Sequence, residues 1–202
     1  MITIIDYGAG NIKSIQNMLK KIGIQSELSN DKTVIENAEK LILPGVGHFD
    51  YGMQQLRKTG LIECLNKKVL IEKTPILGIC LGAQMLGNKS EEGVEKGLGW
   101  IDMDILKFNF ANSNLKIPHM NWNEITMKKT SILLNNMFEN PRFYFVHSYF
   151  MKPINAKDSL CTVDYGGDFV AAVEKENIYG VQFHPEKSHK FGMKLLENFA
   201  KI

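Results

Sequence analysis

The apolar run Pro75-Ile76-Leu77-Gly78-Ile79 stops on a cysteine, Cys80, framed by Gly78 and Gly82, and from Leu81 the pattern turns helical. Few local structures accept that order. Strand, tight turn and helix is the setting of the glycine-x-nucleophile-x-glycine elbow, with cysteine where serine often stands. The glycines lack Cβ atoms, so they permit a strained backbone and let neighbouring strands and a substrate approach the sulfur. Cys80 then meets a helix N-terminus, whose partial positive charge favours a thiolate. Gln84 follows one helical turn later, on the same side, with an amide that both donates and accepts. The same residues taken alone also describe a small buried apolar cysteine, so a catalytic reading needs partners elsewhere.

Ile2-Thr3-Ile4-Ile5-Asp6-Tyr7 is a β-branched run closed by Gly8-Ala9-Gly10, and from Asn11 the residues Ile12, Ile15, Met18, Leu19 and Ile22 fall at helical spacing. Strand, loop and helix open a parallel α/β sheet. The glycines lack both the third glycine of a dinucleotide fingerprint and the Gly-Lys-Ser/Thr of a P-loop. Residues 25–29 predict a second strand and 40–44 a third, which runs into Pro44-Gly45-Val46-Gly47-His48-Phe49. Helical material follows through Met53, Leu56, Leu61, Cys64 and Leu65. Backbone N–H groups at Val46 or Gly47 are candidates to face an oxyanion, with the N–H of Leu81 as the second donor of an acyl-transfer site. A plain strand-to-helix loop fits the same residues. His48 has no carboxylate placed to orient it and reads as a surface residue.

Residues 90–100 are polar and glycine-rich, a loop. Beyond them the chain becomes β-rich at 101–108, 115–117, 143–151, 159–165, 169–173 and 178–183, and 189–202 closes as an amphipathic helix with Phe191, Leu195, Leu196 and Phe199 on one face. The expected fold is therefore α/β, one domain over residues 1–202, with a mostly parallel central sheet and an added antiparallel portion.

The run 178–183 ends in His184-Pro185-Glu186. In extended backbone residues two apart share a side, so Glu186 is placed to hold the His184 ring. An imidazole backed by a carboxylate is a general base with a fixed tautomer. Cys80 and His184 both stand at strand ends, where active sites of open α/β sheets assemble.

Composition narrows the setting. Among 202 residues the formal charge is +2 with acids and bases interspersed, so no nucleic-acid or membrane surface is indicated. Lys20-Lys21, Lys67-Lys68 and Lys128-Lys129 read as solvated faces. Three cysteines without CxxC spacing predict reduced thiols and a cytoplasmic protein, with no metal site and no leader or membrane span.

With these motifs in order, the chain resembles the class I glutamine amidotransferases, which use a cysteine, a histidine and a glutamate. Within them it is most similar to the glutaminase subunits of imidazole glycerol phosphate synthases. The resemblance runs nearly end to end, through Asp6-Tyr7-Gly8-Ala9-Gly10-Asn11, Leu43-Pro44-Gly45-Val46-Gly47, Gly78 to Gln84, Tyr144-Phe145-Val146-His147-Ser148-Tyr149 and Gly180 to Ser188. It implies a three-layer, flavodoxin-like α/β fold and no cofactor. It also implies Cys80, His184 and Glu186 as catalytic residues, with Val46, Gly47 and Leu81 at the oxyanion. Gln84 and the backbone of His147, Ser148 and Tyr149 would hold the amino-acid end of glutamine. The implied partner is a (β/α)8-barrel cyclase subunit in a heterodimer, and Asn11, Trp122 and Lys187 are candidates for contacts near it. Pro118-His119-Met120-Asn121-Trp122-Asn123 resembles the family's interface motif, except that Asn121 stands where glycine is usual. Asparagine tolerates glycine-like backbone angles, so the turn is expected to survive with altered surface chemistry. The departure leaves room for a paralogue supplying ammonia for amidated sugars of bacterial surface glycans. Independently of it, a non-catalytic regulatory partner and a free-standing cysteine hydrolase acting on another amide are the competing classes.

Overall fold

The computed structural model describes residues 1–110 and 115–202. The first half alternates strands and helices: β1 (Ile2–Ile5), α1 (Ile12–Lys21), β2 (Ser26–Ser29), α2 (Lys32–Glu36), β3 (Leu41–Leu43), α3 (Phe49–Lys58), α4 (Ile62–Asn66), β4 (Ile76–Ile79) and α5 (Leu81–Met85). The second half is mostly strand: β5 (Lys89–Ser90), β6 (Met103–Lys107), β7 (His119–Glu124), β8 (Thr126–Met127), β9 (Arg142–His147), β10 (Tyr149–Pro153), β11 (Ser159–Asp164), β12 (Asp168–Lys175) and β13 (Ile178–Val181), closed by α6 (His189–Lys201).

The main sheet runs β2-β1-β3-β4-β13-β12-β10-β6-β5, with β11 and β8 attached beyond β12. From β2 to β13 the neighbours are parallel, and from β13 onward β12, β10 and β6 alternate in direction. The parallel strands are short apolar runs because both faces are covered. In β1, Ile2 and Ile4 pack with Ile15, Leu19, Leu195 and Phe199 on one side, while Ile5 packs with Leu41, Leu43, Phe49 and Leu56 on the other. That alternation produces three layers, helix, sheet and helix. It also points the carboxyl ends of β1, β3, β4 and β13 to one edge, where loops carry the motif residues.

Several expectations need correction. Residues 115–117 form no strand, and Ile117 is exposed. Residues 143–151 are two strands rather than one: β9 pairs with β7 in a separate two-stranded sheet, whereas β10 belongs to the main sheet. The chain changes sheets at Ser148, whose carbonyl accepts from Phe108 N at 3.1 Å. Asn121 is not in a glycine-like turn. It lies in β7 opposite Phe145, exposed, and is not among the residues with positive φ. Any strand-forming residue fits there, so backbone tolerance does not explain the asparagine. Helix α2 follows an uncounted signal, Asp31, whose carboxylate accepts from Thr33 N and Val34 N as an N-cap. Lys68 is 7% exposed rather than solvated, its Nζ donating to Glu72 at 2.8 Å. His48 lies on the surface as expected and caps α3, its Nδ1 accepting from Asp50 N.

Candidate active site

Cys80 sits between β4 and α5 with φ 53° and ψ −111°, a conformation L-residues rarely adopt. Its surroundings hold it there. Its N–H donates to Val181 O at 2.8 Å, and its carbonyl accepts from Gln84 N at 3.1 Å. The start of α5 is also pressed against the segment leaving β3. A Cβ on Gly82 would lie 1.9 Å from Leu43 O, and one on Gly45 would lie 2.6 Å from Gly82 N. Glycine at both positions lets the two backbones touch. From the other side the buried Tyr7 hydroxyl donates to Pro44 O at 2.6 Å, fixing where the loop departs. Burial, reinforced by charge at Cys80, raises the pKa of that phenol well above its usual value, so it stays a donor.

A cavity of about 430 Å³ opens over this edge, lined by Val46, Gly47, Cys80, Leu81, Gln84 and His184 among others. Among the described residues the N–H groups of Val46, Gly47 and Leu81 have no protein acceptor. All three residues line the same cavity as Cys80, and unpaired backbone N–H groups are the kind of donor that stabilises an oxyanion.

His184 follows β13, and its N–H donates to Tyr144 O. Its Nδ1 lies 2.8 Å from Glu186 Oε1, in a pair whose side chains are almost wholly buried. The expected geometry is reached by a different route. Pro185–Lys187 is a turn of 3-10 helix, closed by Ser188 Oγ donating to His184 O at 2.6 Å, and the turn rather than strand alternation brings carboxylate to ring. The opposite nitrogen, Nε2, is buried with no well-formed hydrogen bond among the described residues, and it shares the cavity with Cys80, whose hydrogen-bonding and charge influence reaches the ring.

Burial pulls the His184 pKa down, but interaction with Cys80 and Glu186 outweighs it and pushes the value up to about 10. A protonated imidazole beside the sulfur is a charge partner for a thiolate. The consequence for stability has a definite sign. Between pH 6.5 and about 10 the folded chain keeps a proton that the unfolded chain has released, so this contribution is complete below 6.5 and lost as pH rises through 10. Urea midpoints should therefore fall more steeply over that interval for the natural protein than for His184→Gln. Parallel slopes would remove His184 as the titrating group.

Gln84 Nε2 donates to Tyr149 O and to Gln182 Oε1, each at 3.1 Å. His147 lines the cavity. Its Nδ1 faces Tyr149 O at 2.8 Å, and since a carbonyl only accepts, Nδ1 carries the proton and Nε2 accepts from His119 Nδ1 at 3.0 Å. Burial, opposed by the Tyr149 carbonyl and aided by charge at His119 and His184, lowers the His147 pKa to about 3, so the ring stays neutral. Ser148 lines the cavity, whereas Tyr149 acts behind it through its carbonyl. Asn11 and Lys187 line the mouth. Trp122 lies outside, stacked on His189 with centroids 5.4 Å apart on a neighbouring surface.

Two residues of the site were not singled out from sequence. Glu92, in the loop 90–100, lines the cavity while its Oε2 accepts from Phe49 N at 2.7 Å. An acid in a loop without periodicity carries no signal of where it points. Gln182 is fully buried, and its Nε2 donates to Cys80 Sγ at 3.8 Å. The signal for it was its position two residues before His184.

A cysteine sharing a cavity with a carboxylate-backed histidine and with unpaired backbone N–H groups has the parts that acyl transfer needs. Comparison with known proteins agrees. The glutamine amidotransferase class-I family model matches residues 3–202, and the chain belongs to that family. It is 53% identical over its full length, and that of its relative, to imidazole glycerol phosphate synthase subunit HisH 2 of Pseudomonas aeruginosa. It is 57% identical to the subunit of the same name from Methanococcus maripaludis, covering 100% of this chain and 99% of the relative. A crystal structure described as a glutamine amidotransferase superposes with a TM-score of 0.74 at 18% identity, covering 100% and 99% of the two chains, a likeness of fold.

Proposed function

We propose that this chain is the glutaminase subunit of an imidazole glycerol phosphate synthase, forming one glutamine amidotransferase domain over residues 1–202. The observation that carries the chemistry is the shared cavity joining Cys80, the His184–Glu186 pair and the unpaired N–H groups of Val46, Gly47 and Leu81. The sulfur of Cys80 attacks the side-chain carboxamide of glutamine. As the C–S bond forms, the carbonyl oxygen takes up charge against the backbone donors. His184 gives its proton to the departing nitrogen, the C–N bond breaks, and ammonia leaves. Water, giving a proton to His184, cleaves the thioester to glutamate and restores the sulfur. Gln84 and the backbone around His147, Ser148 and Tyr149 hold the amino-acid end of the substrate, and the Glu92 carboxylate is suited to its ammonium.

Ammonia freed into water is protonated and lost as a nucleophile, so the product is handed to a partner. The names of the relatives support a synthase subunit, and we assign a (β/α)8 cyclase in a cytoplasmic heterodimer, with Asn11, Trp122 and Lys187 near the contact. No helix among the described residues is long and apolar enough to cross a membrane. A second reading rests on one observation: Asn121 alters an exposed strand of the motif that resembles the family's interface. In that reading the ammonia serves a synthetase of amidated sugars. The full triad disfavours a purely regulatory role.

Co-expression decides between the two recipients. Purification of the tagged chain with the histidine-pathway cyclase, and glutamate release that rises at least ten-fold when the cyclase and its nucleotide substrate are present, is the expected result. Stable association with a sugar-amidating synthetase, and none with the cyclase, supports the second reading instead.

A further inference from the structure

The hydrogen bonds behind the cavity form a chain whose polarity is fixed at one end. The Tyr149 carbonyl can only accept, so the group of Gln84 facing it is the Nε2 donor, and the same nitrogen donates to Gln182 Oε1. With its oxygen committed, Gln182 must turn its own Nε2 toward Cys80 Sγ, 3.8 Å away. An amide commonly ambiguous between two orientations is thereby forced to present a donor to sulfur. Gln182 reaches this position because its backbone N–H donates to Ala171 O in β12 at 2.8 Å, immediately after β13, and because it is fully buried.

We infer that Gln182 is a positioning residue for the nucleophile: its side-chain amide holds the Cys80 sulfur in one rotamer and stabilises its anionic form, in an orientation set by Gln84. The inference rests on Cys80 being the nucleophile. A donor favours an anion over a neutral thiol, and unlike His184 this donor cannot surrender its proton, so it acts on the sulfur at every stage of the cycle. The linkage through Gln84, which lines the cavity, also connects the substrate-holding side chain to the sulfur without any backbone movement.

The test measures iodoacetamide alkylation of the full chain at pH 7, mapped by peptide mass spectrometry, together with glutamine turnover in the synthase complex. Gln182→Met keeps the volume and removes the donor. Cys80 alkylation should fall about ten-fold, the factor for one weak hydrogen bond to an ionised group. The kcat should fall similarly while KM moves less than three-fold. The completely buried Cys161 serves as a monitor of packing and should stay unlabelled. Unchanged Cys80 alkylation overturns the inference, and so does new labelling at Cys161, which would assign Gln182 to packing alone. Should Gln182→Met fail to fold, Gln84→Met decides: loss of the orienting partner should slow Cys80 alkylation about three-fold, and an unchanged rate again overturns it. Cys80→Ala separates this from the underlying reading. Full turnover there removes the nucleophile itself, whereas a dead Cys80→Ala with normal alkylation in Gln182→Met removes only the role of Gln182.

Discussion

Gly82→Ala is expected to lower stability by about 3 kcal/mol or more and to reduce glutamine hydrolysis at least 100-fold. The new Cβ would lie 1.9 Å from Leu43 O, 2.8 Å from Leu43 C and 3.1 Å from Pro44 C. All three are backbone atoms, so no side-chain rotamer relieves the contact. Either α5 lifts, carrying Cys80 with it, or the segment leaving β3 retreats. The second movement is resisted by Tyr7, whose hydroxyl bonds Pro44 O from within the core. Both routes separate the sulfur from the N–H groups of Val46 and Gly47, and displacement of reacting groups by about 1 Å is enough for a hundred-fold loss. Gly47→Ala supplies the contrast. Its Cβ would meet nothing within 4 Å, although φ is +101°, so the penalty there is local backbone strain of about 1–3 kcal/mol. Urea unfolding and kcat measured on both variants check the argument. A Gly82→Ala protein of natural stability and turnover would mean that the two backbones are not held in contact.

The legibility of this chain in its sequence follows from where the information is local. The β4-Cys80-α5 turn was readable because an apolar run, two glycines and a helical period occur within ten residues. The His184–Glu186 pair was readable as a pair, but for an incomplete reason: strand alternation was expected, and a 3-10 turn locked by Ser188 supplies the contact. The break between β9 and β10 was invisible because both halves favour strand equally. What separates them is that β7 captures the first half and β6 and β12 the second. Asn121 misled for a related reason. A substitution at a glycine invites an argument from φ, but the position is extended and exposed, so what changes is the surface on the Phe145 side of β7, the face opposite Trp122. Glu92 and Gln182 depend on contacts 43 and 102 residues distant, to Phe49 and Cys80. The neighbourhood of Glu92 carries no sign of its partner, and that of Gln182 marks only its nearness to His184, not the sulfur it reaches.

In Cys80→Ala, glutamine hydrolysis should fall by about 10⁴-fold or more, because the covalent route is removed outright and the backbone donors alone return only a small part of the acceleration. The substitution should cost folding far less than activity, its main effect being to take from His184 and from Gln182 Nε2 the partner each has in Cys80. It removes one atom from a side chain already at a cavity wall, leaves the Cys80 N–H bond to Val181 O available, and asks alanine to adopt the same positive φ that cysteine tolerates. Activity and stability should therefore separate, in contrast to Gly82→Ala, where they fall together. The loss should also be confined to one half of the assembled enzyme. If the partner receives ammonia rather than glutamine, ammonium salts supplied at high pH should sustain its reaction in the Cys80→Ala complex at near the natural rate, while glutamine sustains none. Glutamate release at the natural rate from Cys80→Ala would transfer the chemistry to another group. Cys64 and Cys161 are the other thiols, and both are buried outside the cavity, so neither is placed to take it over. A complex that used neither glutamine nor ammonia would instead point to Cys80 as a contact the partner needs for its own folding or docking. Cys80 is only 8% exposed, too little for a contact on which docking would depend.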